Sequence, residues 1–283
     1  MKQVSESWKD PGTGKTLHFN EEGMFVDDEG KGPQKGFKND NHFCDWIHDY
    51  VHNKMLEMGL VMEMFHEVPI YRTKDALNSP QKLLVLICGA GRIMAGLWSV
   101  GVCAYHGLAA GSVLEALKEG QKRGMEAIIL NPNYARSRFN HCNKVFEELI
   151  IPGNPENVYI ICHSMGGAST TDIISQNPEW CIDHVRAIAM TDGCEGYAKA
   201  SGFKVNKWCH EIGINWIRSD KEINQELGSG PSTMHRSAAT NDHPLTTWKA
   251  FPYIWELFDQ KEAAGPVNKD DFVGKEEVKS DWW

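Results

Sequence analysis

The stretch Asn157-Val158-Tyr159-Ile160-Ile161-Cys162-His163-Ser164-Met165-Gly166-Gly167-Ala168-Ser169-Thr170 contains the most informative pattern in this chain. Its apolar first half includes β-branched residues and predicts a buried strand, and the small residues after Ser164 predict a helix that continues to about Gln176. Ser164 therefore lies on a turn from a strand into a helix. This is the setting of a nucleophile elbow, G-x-S-x-G, in which glycines allow a sharp turn that lifts the serine oxygen above the sheet edge.

Cys162 occupies the position where the motif has its first glycine. A small residue can still fit there, whereas a bulky one would block the approach of strand and helix. The simplest alternative is a glycine-rich joint between a strand and a helix with an incidental serine. We prefer the elbow, because the strand, the His-Ser-Met-Gly-Gly run and the helix all agree with it.

Buried strands alternate with helices along most of the chain. Apolar runs at residues 82–88, 126–130, 157–162, 185–190 and 212–217 predict strands, and the segments between them are long enough for helical crossovers. Such alternation requires a mostly parallel sheet with helices on both faces. We also expect helices over residues 42–65, with a break near Gly59, and over residues 109–123.

The composition is compatible with one large domain. The 283 residues are 41% hydrophobic, which is enough for a full α/β core without a second domain. We divide the chain into an N-terminal extension with a short β-hairpin (1–41), an α/β domain (42–262) and a charged C-terminal tail (263–283). The aromatic end Trp282-Trp283 is either part of a solvated tail or a docking element for a partner.

Composition also argues against several classes of protein. No apolar run is long enough to span a bilayer and the first residues lack a signal-peptide core, so we expect a cytoplasmic or nuclear protein and no membrane contact. The net charge is −9 and no Lys/Arg cluster stands out, which argues against direct nucleic-acid binding. Eight scattered cysteines without a C-x-x-C pair predict buried free thiols rather than disulfides or a metal site, and we expect no cofactor.

Pro11-Gly12-Thr13-Gly14-Lys15-Thr16 resembles the end of a phosphate-binding P-loop. A genuine P-loop has a glycine five residues before Gly14, where this chain has Lys9, and lies between a buried strand and a helix. None of these features is present in the sequence. We interpret the stretch as a solvated turn and regard an NTP-dependent function as the weakest hypothesis.

A glycine-rich loop, Gly89-Ala90-Gly91, follows the predicted strand at residues 82–88. A dinucleotide-binding turn, G-x-G-x-x-G/A, would need a small residue where this chain has Met94. In a hydrolase sheet a loop at this place donates a backbone N–H to an oxyanion. We therefore expect an oxyanion hole formed by the N–H of Met165 and that of Ala90 or Gly91.

The polar residues after the later strands supply the rest of a catalytic triad. A serine needs a base to take its proton, and the base needs an acid that fixes its tautomer; in the hydrolase fold the chain order is Ser, Asp/Glu, His. Ser164 is followed by His243, which lies before the last predicted helix, while His235 is its main competitor. For the acid, topology favours Asp220, after the later strand, whereas Asp192 lies more sharply at a strand end.

Eleven short stretches, in order, resemble the argonaute-binding-protein-two family, a cotranscriptional-regulator type within the α/β-hydrolase superfamily. They are Phe19-Asn20-Glu21-Glu22-Gly23-Met24, Asp75-Ala76-Leu77, Lys82-Leu83-Leu84-Val85-Leu86-Ile87, Gly89-Ala90-Gly91, Ala95-Gly96-Leu97-Trp98-Ser99, Ile129-Leu130-Asn131-Pro132-Asn133, His163-Ser164-Met165-Gly166-Gly167, Ala189-Met190-Thr191-Asp192, Asn215-Trp216, His243 and Thr247-Trp248-Lys249-Ala250-Phe251-Pro252. The resemblance implies the α/β-hydrolase fold and implies Asp192 as the acid. Two departures are Cys88, where the family usually has histidine, and Cys162, where it usually has alanine.

Two functional hypotheses follow. The triad residues predict hydrolysis of an ester, thioester or amide through an acyl-enzyme on Ser164, with a small acyl substrate. The resemblance implies a binding role instead, because the family is linked to argonaute proteins, small-RNA silencing, heterochromatin and splicing. In that case the chain is a hydrolase-shaped adaptor for a protein partner. Fold and triad alone do not choose between these hypotheses.

Overall fold

The computed structural model describes residues 5–34, 37 and 39–275, so Trp282-Trp283 lies outside the described residues. The strands of this part are β1 Ser7–Lys9, β2 Thr16–Phe19, β3 Phe25–Val26, β4 Val61–Phe65, β5 Val68–Arg72, β6 Lys82–Ile87, β7 Glu126–Ile129, β8 Asn157–His163, β9 Val185–Thr191, β10 Gly213–Ile217, β11 Glu226–Ser229 and β12 Met234–Ser237.

The α-helices are α1 Asn41–Glu57, α2 Val100–His106, α3 Leu108–Gly111, α4 Leu114–Lys122, α5 Arg138–Val145, α6 Ile151–Gly153, α7 Met165–Gln176, α8 Pro178–His184, α9 Val205–Ile212 and α10 Thr246–Ala264. A π-helical turn, Phe146–Ile150, joins α5 to α6. Single turns of 3-10 helix lie at His243–Leu245 and Lys269–Phe272. Within the described ranges no helix is both long and apolar enough to cross a membrane.

Nine strands form the central sheet, in the order β11-β12-β10-β9-β8-β6-β7-β5-β4. The six strands β12, β10, β9, β8, β6 and β7 pair in parallel. The antiparallel pairs are β11–β12 on one side of the sheet and β7–β5 and β5–β4 on the other. This arrangement confirms the predicted mostly parallel sheet. Because parallel strands present their carboxyl ends at one edge, the loops after β6, β8 and β9 meet there.

The central strands are apolar on both faces because helices cover both. On β8, Tyr159 and Ile161 belong to a core that includes α1 and α10, whereas Val158 and Ile160 belong to a second core that includes α5, α7 and α9. Alternate residues of a strand point to opposite faces, so one continuous apolar run supplies both cores. This is why the strand pattern was readable from the sequence.

Two predicted helices differ from the structure. The helix predicted over residues 42–65 was wrong beyond Glu57: Gly59 turns the chain at φ +90°, and Val61–Phe65 forms the edge strand β4. The helix predicted over residues 109–123 is interrupted after Gly111, because Ser112 is extended and pairs with Leu97. The first interruption follows from a tight hairpin with β5 and the second from a bridge to a residue fifteen positions earlier, and a helical periodicity reveals neither.

The terminal segments pack against the domain. Strands β1, β2 and β3 form a small antiparallel sheet, and the ring of Phe25 lies 5.6 Å from that of Trp46 on α1. Within the predicted tail, Phe272 is buried and its carbonyl accepts a 2.7 Å hydrogen bond from Lys204 N. Lys269 forms ion pairs with two carboxylates of α8. The charged composition of this segment therefore does not prevent it from packing as far as residue 275.

All eight cysteines have free thiols, and only Cys194 is exposed. Cys162, in the place of the first elbow glycine, is fully buried. Its side chain fits beside Gly166, where an added Cβ would lie 3.2 Å from Cys162 Cβ. Cysteine is thus accommodated at this position by the absence of a side chain on its neighbour.

Substitution of Gly166 tests whether α7 must approach β6 as closely as the structure shows. A Cβ at Gly166 would lie 2.5 Å from Ile87 O, a backbone atom that cannot move aside cheaply. We expect Gly166→Ala to lower the free energy of unfolding by about 2 kcal/mol through overpacking. Gly196→Ala is the control, because a Cβ there meets no atom within 4 Å. Urea unfolding measures both variants, and equal midpoints would contradict the prediction.

Candidate active site

Ser164 lies at the turn between β8 and α7 in a strained conformation, with φ +53° and ψ −123°. Three backbone hydrogen bonds hold this turn: Ser164 N donates to Thr191 O at 3.1 Å, and Ser164 O accepts from Gly167 N at 3.0 Å and Cys194 N at 2.8 Å. A non-glycine residue in such a conformation costs about 1–3 kcal/mol and persists only where its surroundings impose it. Here the end of β9 and the residues after it provide that constraint.

Glycines allow two loops to approach the turn. An added Cβ at Gly89 would lie 2.9 Å from Ser164 Cβ, and one at Gly167 would lie 3.1 Å from Gly193 Cα. Both distances are shorter than normal van der Waals separations between carbon atoms. The loops after β6 and β9 therefore pack directly against the elbow.

Asp192 and His243 form a hydrogen-bonded pair. His243 Nδ1 and Asp192 Oδ2 are in direct contact, and the side chains are 35% and 12% exposed. Asp192 follows β9 at φ +45°, and its N–H donates to Trp216 O at 2.8 Å. A carboxylate at Nδ1 favours the tautomer that leaves Nε2 free to accept a proton.

Asp220, the other acid considered from the sequence, is exposed in the loop after β10. In the part of the chain that the structure describes, its carboxylate makes no hydrogen bond or ion pair. The structure thus brings Asp192, and not Asp220, to His243. His235 also lies elsewhere, because its Nε2 contacts the carboxylate of Glu195.

Arg218 is a partner of Asp192 that the sequence did not suggest. Its Nε lies 2.6 Å from Asp192 Oδ2, and its backbone N–H donates to Asp192 Oδ1 at 3.3 Å. Asp192 Oδ2 is therefore shared between an imidazole and a guanidinium. The sequence offered one signal, since Arg218 follows β10 at the sheet edge where the loops carrying Ser164 and Asp192 meet.

A polar network holds the loop that begins with Asp192. Asn215 binds both sides of Gly193: its Oδ1 accepts from Gly193 N at 2.9 Å and its Nδ2 donates to Gly193 O at 3.0 Å. Glu195 accepts from Asn215 Nδ2 at 3.1 Å and from Ser232 Oγ at 2.9 Å, in addition to its contact with His235. The carboxylate of Glu195 is saturated with donors, so this second acid–histidine pair fixes the loop.

The ring of His163 packs against the ring of His243. The two ring centroids are 4.6 Å apart, and His163 Nδ1 lies 3.2 Å from Thr191 Oγ1. Burial, with a smaller contribution from His243, lowers the pKa of His163 to about 4. At neutral pH His163 is therefore uncharged and supports the His243 ring without placing a second cation beside it.

The expected oxyanion donors belong to α7 and to the loop after β6. Met165 is the first residue of α7, and Ala90 and Gly91 are exposed in the loop after β6. Two residues that the sequence did not suggest, Asn133 and Arg138, donate hydrogen bonds to carbonyls of this loop. Within the described residues no hydrogen bond joins Ser164 Oγ to His243; in resting hydrolases this bond often shortens only when substrate binds.

The described residues include no group of three or more His, Cys, Asp or Glu side chains that could hold a metal ion. The functional groups beside the elbow are instead the carboxylate of Asp192 and the imidazole of His243, which packs on the neighbour of Ser164. This set is suited to nucleophilic attack assisted by a general base.

Comparison with known proteins assigns the chain to a family. The Arb2 domain matches residues 55–138 and 134–223. The chain belongs to the Arb2 family. The family resemblance read from the sequence is confirmed, and both matched segments belong to the central α/β unit, with Ser164 and Asp192 in the second.

Two Arb2 relatives show the extent of the similarity. Cotranscriptional regulator ARB2A of Homo sapiens is 25% identical over an alignment of 259 positions, which covers 69% of this chain and 62% of the human protein. The homolog of Dictyostelium discoideum is 26% identical over an alignment of 267 positions, which covers 75% of this chain and 69% of that protein. The chain thus spans less than two thirds of the length of the human relative.

Solved structures show the fold. The histone deacetylase Clr3 superposes with a TM-score of 0.54 at 13% identity, over 81% of this chain and 41% of that one. A histone deacetylase from Saccharomyces cerevisiae superposes with a TM-score of 0.56 at 7% identity, over 79% of this chain and 99% of that one. At such identities the likeness concerns architecture alone, which is of the α/β-hydrolase type expected from the sequence.

The depressed pKa of His163 predicts a pH-dependent stability. Unfolding returns the imidazole to its ordinary pKa of 6.5, so between pH 6.5 and about 4 the unfolded chain binds a proton that the folded chain does not. Stability conferred by neutral His163 is complete above pH 6.5 and is lost as the pH falls towards 4. The slope of the unfolding free energy against pH reports how many more protons the unfolded state binds than the folded state. We expect His163→Gln to reduce this difference by up to one proton in that pH range, as measured by urea unfolding at several pH values. An unchanged slope would contradict this interpretation.

Proposed function

We propose that this chain is a serine hydrolase that cleaves an ester, thioester or amide of a small acyl substrate through an acyl-enzyme on Ser164. The observation that carries the proposal is the Asp192–His243 pair next to a serine in a strained elbow. Strained backbone at such a turn is a recognised feature of activated nucleophiles. No cofactor is needed for this chemistry.

The first half-reaction forms the acyl-enzyme. Ser164 Oγ attacks the carbonyl carbon while His243 Nε2 accepts its proton, and the carbonyl π electrons move onto oxygen. The N–H groups of Met165 and of Ala90 or Gly91 stabilise the resulting oxyanion. Collapse of this intermediate breaks the bond to the leaving group, which takes the proton from His243.

Water completes the cycle. His243 accepts a proton from water as the water oxygen attacks the acyl carbon, and a second tetrahedral intermediate forms at the same donors. Its collapse releases the carboxylic acid and returns the proton to Ser164 Oγ. Asp192 remains ionised throughout, because it orients the imidazole and stabilises the imidazolium without accepting the proton.

Labelling by a fluorophosphonate tests the triad. We expect Ser164→Ala to abolish covalent labelling, and His243→Ala and Asp192→Asn to slow it by about 1,000-fold or more, because a misplaced or missing base leaves the hydroxyl protonated. Intact-protein mass spectrometry with tryptic mapping identifies the labelled residue and gives its rate.

Asp220→Asn is the matched control, because Asp220 is the other acid that the sequence suggested and it is exposed. It should label at the wild-type rate. Circular dichroism verifies that all variants are folded. Absence of labelling in folded wild-type protein would exclude an activated serine, and slow labelling of Asp220→Asn together with normal labelling of Asp192→Asn would transfer the role of the acid to Asp220.

An adaptor is the second hypothesis. Ser164 Oγ makes no hydrogen bond to His243 within the described residues, and the relatives are named cotranscriptional regulators. As an adaptor the chain would bind an argonaute, chromatin or splicing protein, in the nucleus or cytoplasm, and would support small-RNA silencing or cotranscriptional regulation. Such a role uses the surface of the domain and does not require bond cleavage.

Replacement of the genomic copy separates the two hypotheses. Under the adaptor hypothesis, Ser164→Ala preserves the cellular phenotype, because removing one hydroxyl leaves the surface intact. Under the hydrolase hypothesis the same variant behaves as a deletion. The measurement is growth or reporter silencing at equal protein level. If Ser164→Ala shows the same phenotype as the deletion, the adaptor hypothesis is contradicted.

A further inference from the structure

Asn133 and Arg138 grip the carbonyl side of the loop that follows β6. Gly89 O accepts hydrogen bonds from Asn133 Nδ2 at 2.8 Å and from Arg138 Nη2 at 2.7 Å. Arg138 Nη1 also donates to Cys88 O at 3.0 Å, and Asn133 Nδ2 to Ile93 O at 2.7 Å. The two side chains contact each other through Asn133 Oδ1 and Arg138 Nη2. Four contacts to three carbonyls leave this loop little freedom to rotate its peptide planes.

The orientation of the Gly89 carbonyl fixes the next N–H. In a planar trans peptide the C=O of one residue and the N–H of the next point in opposite directions. Because Gly89 O faces Asn133 and Arg138, the N–H of Ala90 faces away from them. The position that a Cβ of Gly89 would occupy faces Ser164, since it lies 2.9 Å from Ser164 Cβ. The loop therefore lies between the two gripping side chains and the elbow.

Arg138 also brings a positive charge without a carboxylate. No ion pair joins Arg138 to an acidic side chain in the described ranges, and its guanidinium is half-buried. Its charge acts on the neighbouring thiol of Cys88: burial raises the pKa of Cys88 to about 11, and Arg138 opposes that rise. An uncompensated cation close to Ser164 favours negative charge that develops on a substrate oxygen.

We propose that Arg138 and Asn133 are positioning residues, which aim the Ala90 N–H at the oxyanion formed at Ser164. The inference deepens the proposed hydrolase function and rests on it. It also chooses between the two donors left open by the sequence, since the gripped carbonyl precedes Ala90 and not Gly91. Neither residue touches the substrate; both orient the peptide between Gly89 and Ala90, and Arg138 adds the effect of its charge.

The test separates the maximal labelling rate from probe affinity. For Arg138→Met we expect the maximal rate of fluorophosphonate labelling to fall by about 100-fold, as when one oxyanion donor is lost, while the half-saturating probe concentration changes by less than about twofold. Arg138→Lys keeps the charge and one donor but loses the planar fork, so its rate should be intermediate. A simple loss of packing would not produce this split or the order of the two variants.

Arg136→Met is the matched control, because Arg136 is an exposed arginine on the same segment, two residues from Arg138. It should keep wild-type labelling, and melting temperatures identify variants that fail to fold. Arg138→Lys preserves the test if Arg138→Met is unstable. A wild-type maximal rate in a folded Arg138→Lys and Arg138→Met pair would overturn the inference while leaving the hydrolase intact. Absent labelling of Ser164 in the wild type would overturn both.

Discussion

The close approach of backbone at Ser164 is the constraint on which the rest of the site depends. A Cβ at Gly166 would lie 2.5 Å from Ile87 O, and one at Gly89 would lie 2.9 Å from Ser164 Cβ. Because Gly166 has no side chain, α7 can approach the end of β6. Because Gly89 has none, the loop after β6 can pack on the turn at Ser164. The strained dihedrals of Ser164 follow from this packing, since strand, helix and neighbouring loops leave the turn no relaxed alternative.

The charges around this turn differ from those of the whole chain. The net charge is −9, yet Arg138 and Arg218 both lie among the loops that surround Ser164. Asp192 contacts His243 and Arg218 at once, and the buried His163 stays neutral because its pKa is lowered to about 4. Because the carboxylates of Asp192 and Glu195 lie in the same loops, the two arginines offset negative charge at this edge of the sheet, in contrast to the acidic chain as a whole.

The sequence was most informative where the signal is local. A buried apolar run followed by Ser164 and two glycines is a pattern within ten residues, and it predicted the strand, the turn and the helix. The order of strands and polar strand ends led to His243 and to two acids, of which topology favoured Asp220, while the family resemblance implied Asp192. Only the packing of β9 beside β8 in the sheet shows which carboxylate is next to the imidazole.

The residues that the sequence did not reveal act at long range. Arg138 binds carbonyls about fifty positions earlier, and Arg218 meets a carboxylate twenty-six positions earlier. Arg138 begins a helix and Arg218 follows a strand, and beyond that position neither has a local feature that distinguishes it from a surface arginine. The wrong helix beyond Glu57 has a different cause, because β4 forms a tight hairpin with the adjacent strand β5, and its turn at His66 and Glu67 contains no glycine to mark it.

The strain bears on the choice between hydrolase and adaptor. Ser164 and Asp192 are both non-glycine residues at positive φ, at a cost of about 1–3 kcal/mol each. An adaptor that used the outer surface of the domain would gain nothing from this cost, since a glycine or a relaxed turn would serve equally. A hydrolase gains the placement of a hydroxyl and a carboxylate around one imidazole. Six other non-glycine residues of the described ranges, His66 and Ala239 among them, also have positive φ. It is therefore the contact of Asp192 with His243 beside the strained Ser164, and not the strain alone, that favours the hydrolase. The regulatory role implied by the relatives' names is compatible with either hypothesis.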